Sequence, residues 1–127
     1  MKETIRRLPD AEQEVMQAVW SMEPPVPRAA LEQAMQSIRP MAQTTLLTLL
    51  TRLADKDFLR IDKVGRSSVY TPLISRRDYR AAQSRRFVDT LFGGSMSAFA
   101  SALCDSGLTR EELNELRAYL EETDDAR

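Results

Sequence analysis

Apolar positions in the first third of the chain recur with the period of a helix. Val15, Met16, Val19 and Trp20 share one face, and Asp10-Ala11-Glu12-Gln13 before them reads as a helix start with Asp10 as the cap. Met22-Glu23-Pro24-Pro25-Val26-Pro27 ends that helix, since proline removes a donor and disfavours helical backbone before it. A second helix is predicted from Arg28, with Ala30, Leu31, Ala34, Met35 and Ile38 inward, until Arg39-Pro40 interrupts it. A third, around residues 42–55, places Leu46, Leu49, Leu50 and Leu53 on a buried stripe. The period then changes to two. Phe58-Leu59-Arg60-Ile61-Asp62 and Ser67-Ser68-Val69-Tyr70-Thr71 read as strands, with Lys63-Val64-Gly65-Arg66 as the turn between them. Helical spacing returns at Ile74-Ser75-Arg76-Arg77-Asp78, a capped start for a helix that runs to about Phe92 with Tyr79, Ala82, Val88 and Leu91 inward. Gly93-Gly94 stops it. A short helix carrying Met96, Phe99, Ala100 and Leu103 follows, and Leu108-Thr109-Arg110-Glu111-Glu112-Leu113 opens a last one carrying Leu113, Leu116 and Leu120.

Three helices followed by a basic hairpin is the order of a winged helix-turn-helix. The predicted fold is therefore mainly α with a small β-hairpin wing, divided into a winged-helix DNA-binding domain over residues 1–74 and a helical domain over 75–127. The last three helices are short and narrowly amphipathic. A segment of that size builds little core alone, so packing against a second copy is the expected solution.

Composition removes most chemistry. Among 127 residues there is no histidine and one cysteine, Cys104, so imidazole triads, histidine-ligated zinc and internal disulfides are excluded. No glycine-rich phosphate loop occurs. An enzyme is not expected, and nothing calls for a cofactor or metal. Cys104 is expected to be a small buried hydrophobe, and Met16, Met35 and Met96 sit at core spacing. Trp20 and Tyr70 read as packing residues. No apolar run is long enough for a membrane span and no signal-peptide pattern opens the chain, so a cytoplasmic location without membrane contact is expected.

The net charge of −1 hides an asymmetry. Residues 1–90 hold 15 basic and 11 acidic side chains, whereas residues 91–127 hold 3 and 8. Over residues 39–86 the balance is 11 to 4. A basic middle suits a polyanion. On the third helix, the face opposite the leucines shows Gln43, Thr44, Thr45, Thr48, Thr51 and Arg52, short hydroxyls and one cation where glutamate and lysine are usual. Such a face can approach a phosphate backbone closely. Read more plainly, the threonines bond back to their own helix or pack at its margin. Arg60, Lys63 and Arg66 add three cations to the hairpin. Two other readings stay open: a ligand-sensing regulator with an apolar cavity near Tyr79, Phe87 and Phe99, and a winged helix that binds protein instead of DNA.

Several motifs occur together in the order and spacing of a known family. Leu8-Pro9-Asp10-Ala11-Glu12-Gln13-Glu14-Val15-Met16 with Val19-Trp20, Thr45-x-x-Thr48-x-Leu50-x-Arg52-Leu53, Gly65-Arg66 with Val69-Tyr70-Thr71-Pro72, and Leu108 to Leu116 resemble the penicillinase-repressor family, which includes repressors of beta-lactamase, methicillin-resistance and copper-transport genes. The resemblance implies a homodimeric repressor that binds an inverted-repeat operator in double-stranded DNA. It assigns operator contacts to Gln43, Thr44, Thr45, Thr48 and Arg52, and backbone contacts to Lys63 and Arg66, to which Arg60 adds charge. It also implies release when a sensor protease cuts the dimerisation region, for which Ala102-Leu103 is the candidate position. Antibiotic-responsive members carry Asn-Phe there. Copper-responsive members carry a Cys-x-Cys pair, whereas Cys104 stands alone. Thr44 takes the place of a common lysine, and Asp57 that of a glycine, which aspartate tolerates because it enters the left-handed region at modest cost.

Overall fold

The computed structural model describes residues 5–125. Its elements are α1 (Asp10–Trp20), β1 (Val26–Pro27), α2 (Arg28–Ile38), α3 (Gln43–Asp55), β2 (Leu59–Val64), β3 (Ser67–Pro72), α4 (Arg76–Phe92), α5 (Met96–Asp105) and α6 (Arg110–Asp125). The strands form one antiparallel sheet in the order β1-β3-β2. This is the winged helix expected from the sequence, with additional helices after it.

The chain divides into two compact units, one up to Gln83 and one from Ser84 on. The division falls inside α4 because Tyr79 and Ala82, at its start, pack with the core of the first unit. That core joins Val15, Met16 and Val19 of α1 to Leu31 and Met35 of α2. Leu46, Leu49, Leu50 and Leu53 of α3, Phe58, Leu59 and Tyr70 complete it. All four leucines of the predicted α3 stripe are buried, so the opposite face is left to solvent. Tyr79 ties the layers together. Its hydroxyl accepts from the Leu8 backbone N–H at 3.0 Å and donates to Gln13 Oε1 at 2.8 Å, and its ring lies 5.6 Å from Trp20 and 5.7 Å from Phe58. The Trp20 indole N–H donates to the Ile74 carbonyl.

Several local expectations are corrected. Pro9, not Asp10, occupies the cap of α1, and Gln13 serves Tyr79 rather than the helix start. The proline-rich stretch contains β1, whose two residues pair with Val69 and Tyr70; so short a strand has no period to read. Ile38, the last residue of α2, is exposed, whereas Met35 in the same turn is buried. Lys63 and Val64 belong to β2, which leaves Gly65-Arg66 as a two-residue turn closed by the Val64–Ser67 pair.

α3 ends on a Schellman motif. The Phe58 N–H bonds to the Leu53 carbonyl and the Asp57 N–H to the Ala54 carbonyl, with Asp57 at φ 64°. Asp57 therefore occupies the left-handed position foreseen for it. Its side chain makes no hydrogen bond or ion pair among the described residues, so Asp57→Gly removes strain and no contact. The substitution should stabilise the protein by about 0.5–1 kcal/mol, read as a higher urea midpoint at unchanged slope. A lower midpoint would contradict this account.

In the second unit Ser95, which the sequence reading did not single out, caps α5 through the Ala98 N–H, and Thr109 and Glu112 exchange bonds before α6 in the capping pattern expected there. Phe87, Phe92 and Phe99 pack edge to face at 5.5–6.3 Å. The apolar positions are far less covered than expected. Leu91 is 63% exposed, Met96 is exposed, α5 buries none of its residues, and Cys104 is exposed rather than core. The reason is geometric: three short helices present apolar stripes with too few partners inside one chain. Among the described residues, no single helix is long and apolar enough to cross a membrane.

Candidate nucleic-acid interface

α3 begins at Gln43 with no side chain capping it and no acid in its first turn, so its free N–H groups face solvent. Gln43, Thr44, Thr45, Thr48, Thr51 and Arg52 are all exposed, and the one acid of the helix, Asp55, lies at its far end. Gln43 borders a cavity of about 140 Å³ shared with Glu32, Met35, Gln36, Met41 and Leu46, which leaves its amide room to turn. The threonines divide into two kinds. Thr48 and Thr51 donate their hydroxyls at 3.0 Å to the carbonyls of Thr44 and Leu47, four residues back. These two therefore present an acceptor oxygen and a methyl outward. Thr44 and Thr45 make no side-chain hydrogen bond among the described residues and keep both functions.

The hairpin separates its three cations. Strand alternation puts Arg60, Asp62 and Val64 on one face and Lys63 on the other, while Arg66 stands in the turn. The Arg60 guanidinium bonds to Asp62 Oδ2 at 2.8 Å. Arg60 therefore neutralises an acid on the wing before it can meet a phosphate. The sequence reading missed this pairing, although a cation and an acid two residues apart in a strand share a face. No side-chain hydrogen bond or ion pair links the α3 group to the hairpin group among the described residues. Leu53, Phe58 and Leu59 of the core lie between them in the chain.

The same sorting applies to the other cations. Arg39 binds Glu14, and this hydrogen bond raises the guanidinium above its ordinary pKa. Lys56 binds the buried Glu12, and Arg85 pairs with Asp89 at 3.1 Å. Arg52, Lys63, Arg66, Arg76, Arg77 and Arg80 have no ion pair among the described residues. Below the wing, burial pushes the Tyr70 phenol above its usual range, against a smaller lowering by its hydrogen bond with Ser68. The surface thus combines a small-residue helix face, poor in acid, with unpaired cations on α3 and the hairpin. Ala102 and Leu103 lie elsewhere, half-buried within α5, and both their carbonyls accept the Ser106 N–H.

The comparisons agree with this architecture. The family model described as penicillinase repressor matches residues 8–122. The penicillinase repressor of Bacillus licheniformis is 32% identical over 119 residues, covering 93% of this chain and 92% of that protein. The methicillin resistance regulatory protein MecI of Mammaliicoccus sciuri is 29% identical over 111 residues, 87% of this chain and 89% of the relative. Among solved structures, the DNA-binding domain of the repressor BlaI matches with a TM-score of 0.53 at 33% identity, over 60% of this chain and 92% of that one. The monomeric Bacillus licheniformis BlaI in complex with the blaP half-operator matches with a TM-score of 0.50 at the same identity and coverage. With nearly its whole length matched, this chain belongs to the penicillinase repressor family.

Proposed function

We propose that this chain is a transcriptional repressor that binds an inverted-repeat operator as a homodimer, without catalysis. The observation that carries the reading is the α3 face, where Gln43, Thr44, Thr45, Thr48 and Arg52 stand exposed opposite a fully buried leucine stripe. In this reading α3 lies in the major groove. Gln43 pairs with an adenine edge, threonine methyls meet thymine methyls, and Arg52, Lys63 and Arg66 contact phosphates. A similar protein solved in complex with a half-operator supports the binding of DNA. Arg60 contributes less than the other cations because Asp62 holds it.

Dimerisation falls to the helical domain over residues 75–127, in which Leu91, Met96, Leu116, Tyr119 and Leu120 are exposed apolar side chains. A second copy covering them removes that surface from water, at about 25 cal/mol for each Å². Release by a sensor protease that cuts Ala102-Leu103 requires α5 to open first, because a protease binds an extended strand and this bond lies inside a helix.

The test is selection of duplexes from a random library, followed by anisotropy titrations of the winner and a scrambled duplex across a salt series. The expected winner is an inverted repeat with half-sites about 10 bp apart, or a multiple of that, bound with a steep salt slope. Gln43→Ala should lose about 1–3 kcal/mol of discrimination at one base pair per half-site while the salt slope stays. Enrichment of no sequence, with equal weak binding to both duplexes, would refute the repressor reading.

A further inference from the structure

A hollow lies where α2 gives way to α3. α2 ends at Ile38, and Arg39, before Pro40, takes extended backbone, so the last turns of α2 and the first turn of α3 leave space between them. That space is the cavity of about 140 Å³ that Gln43 borders. Its lining is not that of the apolar cavity considered near Tyr79, Phe87 and Phe99. Met35 and Leu46 are buried and Met41 is half-buried, which makes an apolar floor with two thioethers. Gln36 and Gln43 are exposed and stand at the mouth. Glu32 supplies the charge of this lining. Its Oε2 is shut off from water and accepts no hydrogen bond among the described residues. Arg28 Nε, one turn back on α2, faces it at 3.4 Å as an ion pair without a hydrogen bond.

These walls define a ligand. An apolar cavity of about 150 Å³ holds benzene, so this one fits a single six-membered ring. Thioether sulfur makes favourable contacts with aromatic rings, which selects an aromatic body between Met35 and Met41. A carboxylate oxygen out of water without a donor is costly, and an N–H on the ligand satisfies it. A cationic donor is drawn to Glu32, whereas an anionic ligand meets a like charge. The free N–H groups at the start of α3 disfavour a cation there, so the ammonium belongs at the α2 wall beside Glu32 and Gln36. We propose that this cavity binds a small amine carrying one aromatic ring, with the ring on Met35, Met41 and Leu46 and the ammonium on Glu32. Gln43 couples the site to DNA. A side chain closed over the ring cannot also lie along an adenine edge, so the amine acts as an inducer. The coupling rests on the operator-binding reading; the binding of the amine does not.

The experiment uses the full chain with methyl-labelled methionine, read by NMR, and benzylamine as the probe. Benzylamine is expected to shift the Met35 and Met41 methyl resonances saturably. Benzyl alcohol, of similar shape without the charge, should bind about tenfold more weakly, and Glu32→Gln should bring benzylamine to that level. Benzoate should not bind. At constant ionic strength, saturating benzylamine should lower affinity for the duplex selected above about fivefold, the low end for coupling between two sites, and leave the scrambled duplex unaffected. The selected duplex should weaken benzylamine binding by the same factor. Gln43→Ala should still bind the amine, and the amine should then have no effect on DNA affinity. No saturable shift at Met35 and Met41, a shift that Glu32→Gln leaves unchanged, or benzoate binding as well as benzylamine would overturn the site. Amine binding that leaves operator affinity unchanged, or that weakens both duplexes alike, would overturn the coupling through Gln43. Failure of the wild-type chain to select any duplex would instead remove the operator reading, and the methionine shifts would still decide the site.

Discussion

Alanine at Arg52, Lys63 and Arg66 together is expected to cost roughly a hundredfold in DNA affinity per protomer at physiological salt. Each phosphate contact contributes about 0.9 to the slope of log affinity against log salt, so losing three flattens it by about 2.7. Carried from 1 M down to 0.15 M salt, that change amounts to roughly two powers of ten. The three side chains are exposed and unpaired among the described residues, so folding should be nearly untouched, with stability within about 0.5 kcal/mol of the parent. Arg60→Ala provides the contrast. Its guanidinium is already engaged by Asp62, so the slope should change by less than one contact's worth. Anisotropy titrations at four or more salt concentrations read both outcomes. An unchanged slope in the triple variant would place the phosphate contacts elsewhere.

Glu12→Ala is expected to lose about 3 kcal/mol of stability, a large part of what a domain of this size has. Glu12 is 3% exposed in the first turn of α1, and its carboxylate binds the Lys56 ammonium directly after α3. Removing the carboxylate strands a cation whose side chain is itself only 22% exposed. Replacing both partners by apolar residues, Glu12→Leu with Lys56→Met, leaves no orphan charge and should lie close to the parent. Urea unfolding of the singles and the double gives the comparison. If Glu12→Ala and the double variant unfolded at the same midpoint, the pair would not be the bond that holds the end of α3 against α1. The consequence for function is indirect: α3 presents its outer face only while its far end is anchored.

The parts of this protein that were legible in its sequence are those where one period dominates. The α3 leucines, the turn to period two at Phe58 and the capping patterns at Ser75 and Thr109 each involve neighbours within four residues, and the structure repeats them. Asp57 is a further case, since the left-handed position after a helix is a local demand. What escaped detection involves partners far apart in the chain. The α1 start looked capped by Asp10 because nothing local shows that Gln13 is taken by Tyr79, sixty-six residues away. Glu12 and Lys56 are forty-four residues apart, and each alone reads as an ordinary solvated charge. β1 has two residues and exists only because β3 offers it an edge.

Apolar spacing also overstated burial in the second unit. Leu91, Met96 and Leu120 have the right period, yet period specifies a face and not what covers it. Cys104 fails for the same reason. At the candidate interface, the sequence picks out Gln43, the threonines and the cations because their identity departs from a common helix surface. It cannot sort them. Which hydroxyls bond back to the helix, and which cations already have an acid, depends on rotamers and on strand faces.

The sequence by itself determined the order of the helices and the hairpin, the apolar stripe of each helix and the family, because all three are written in local spacing and residue type. Only the tertiary structure decided which charges remain free to meet a polyanion, where the two units divide and which apolar faces stay open. Those properties depend on distances between residues remote in the chain, and burial and electrostatics act through space.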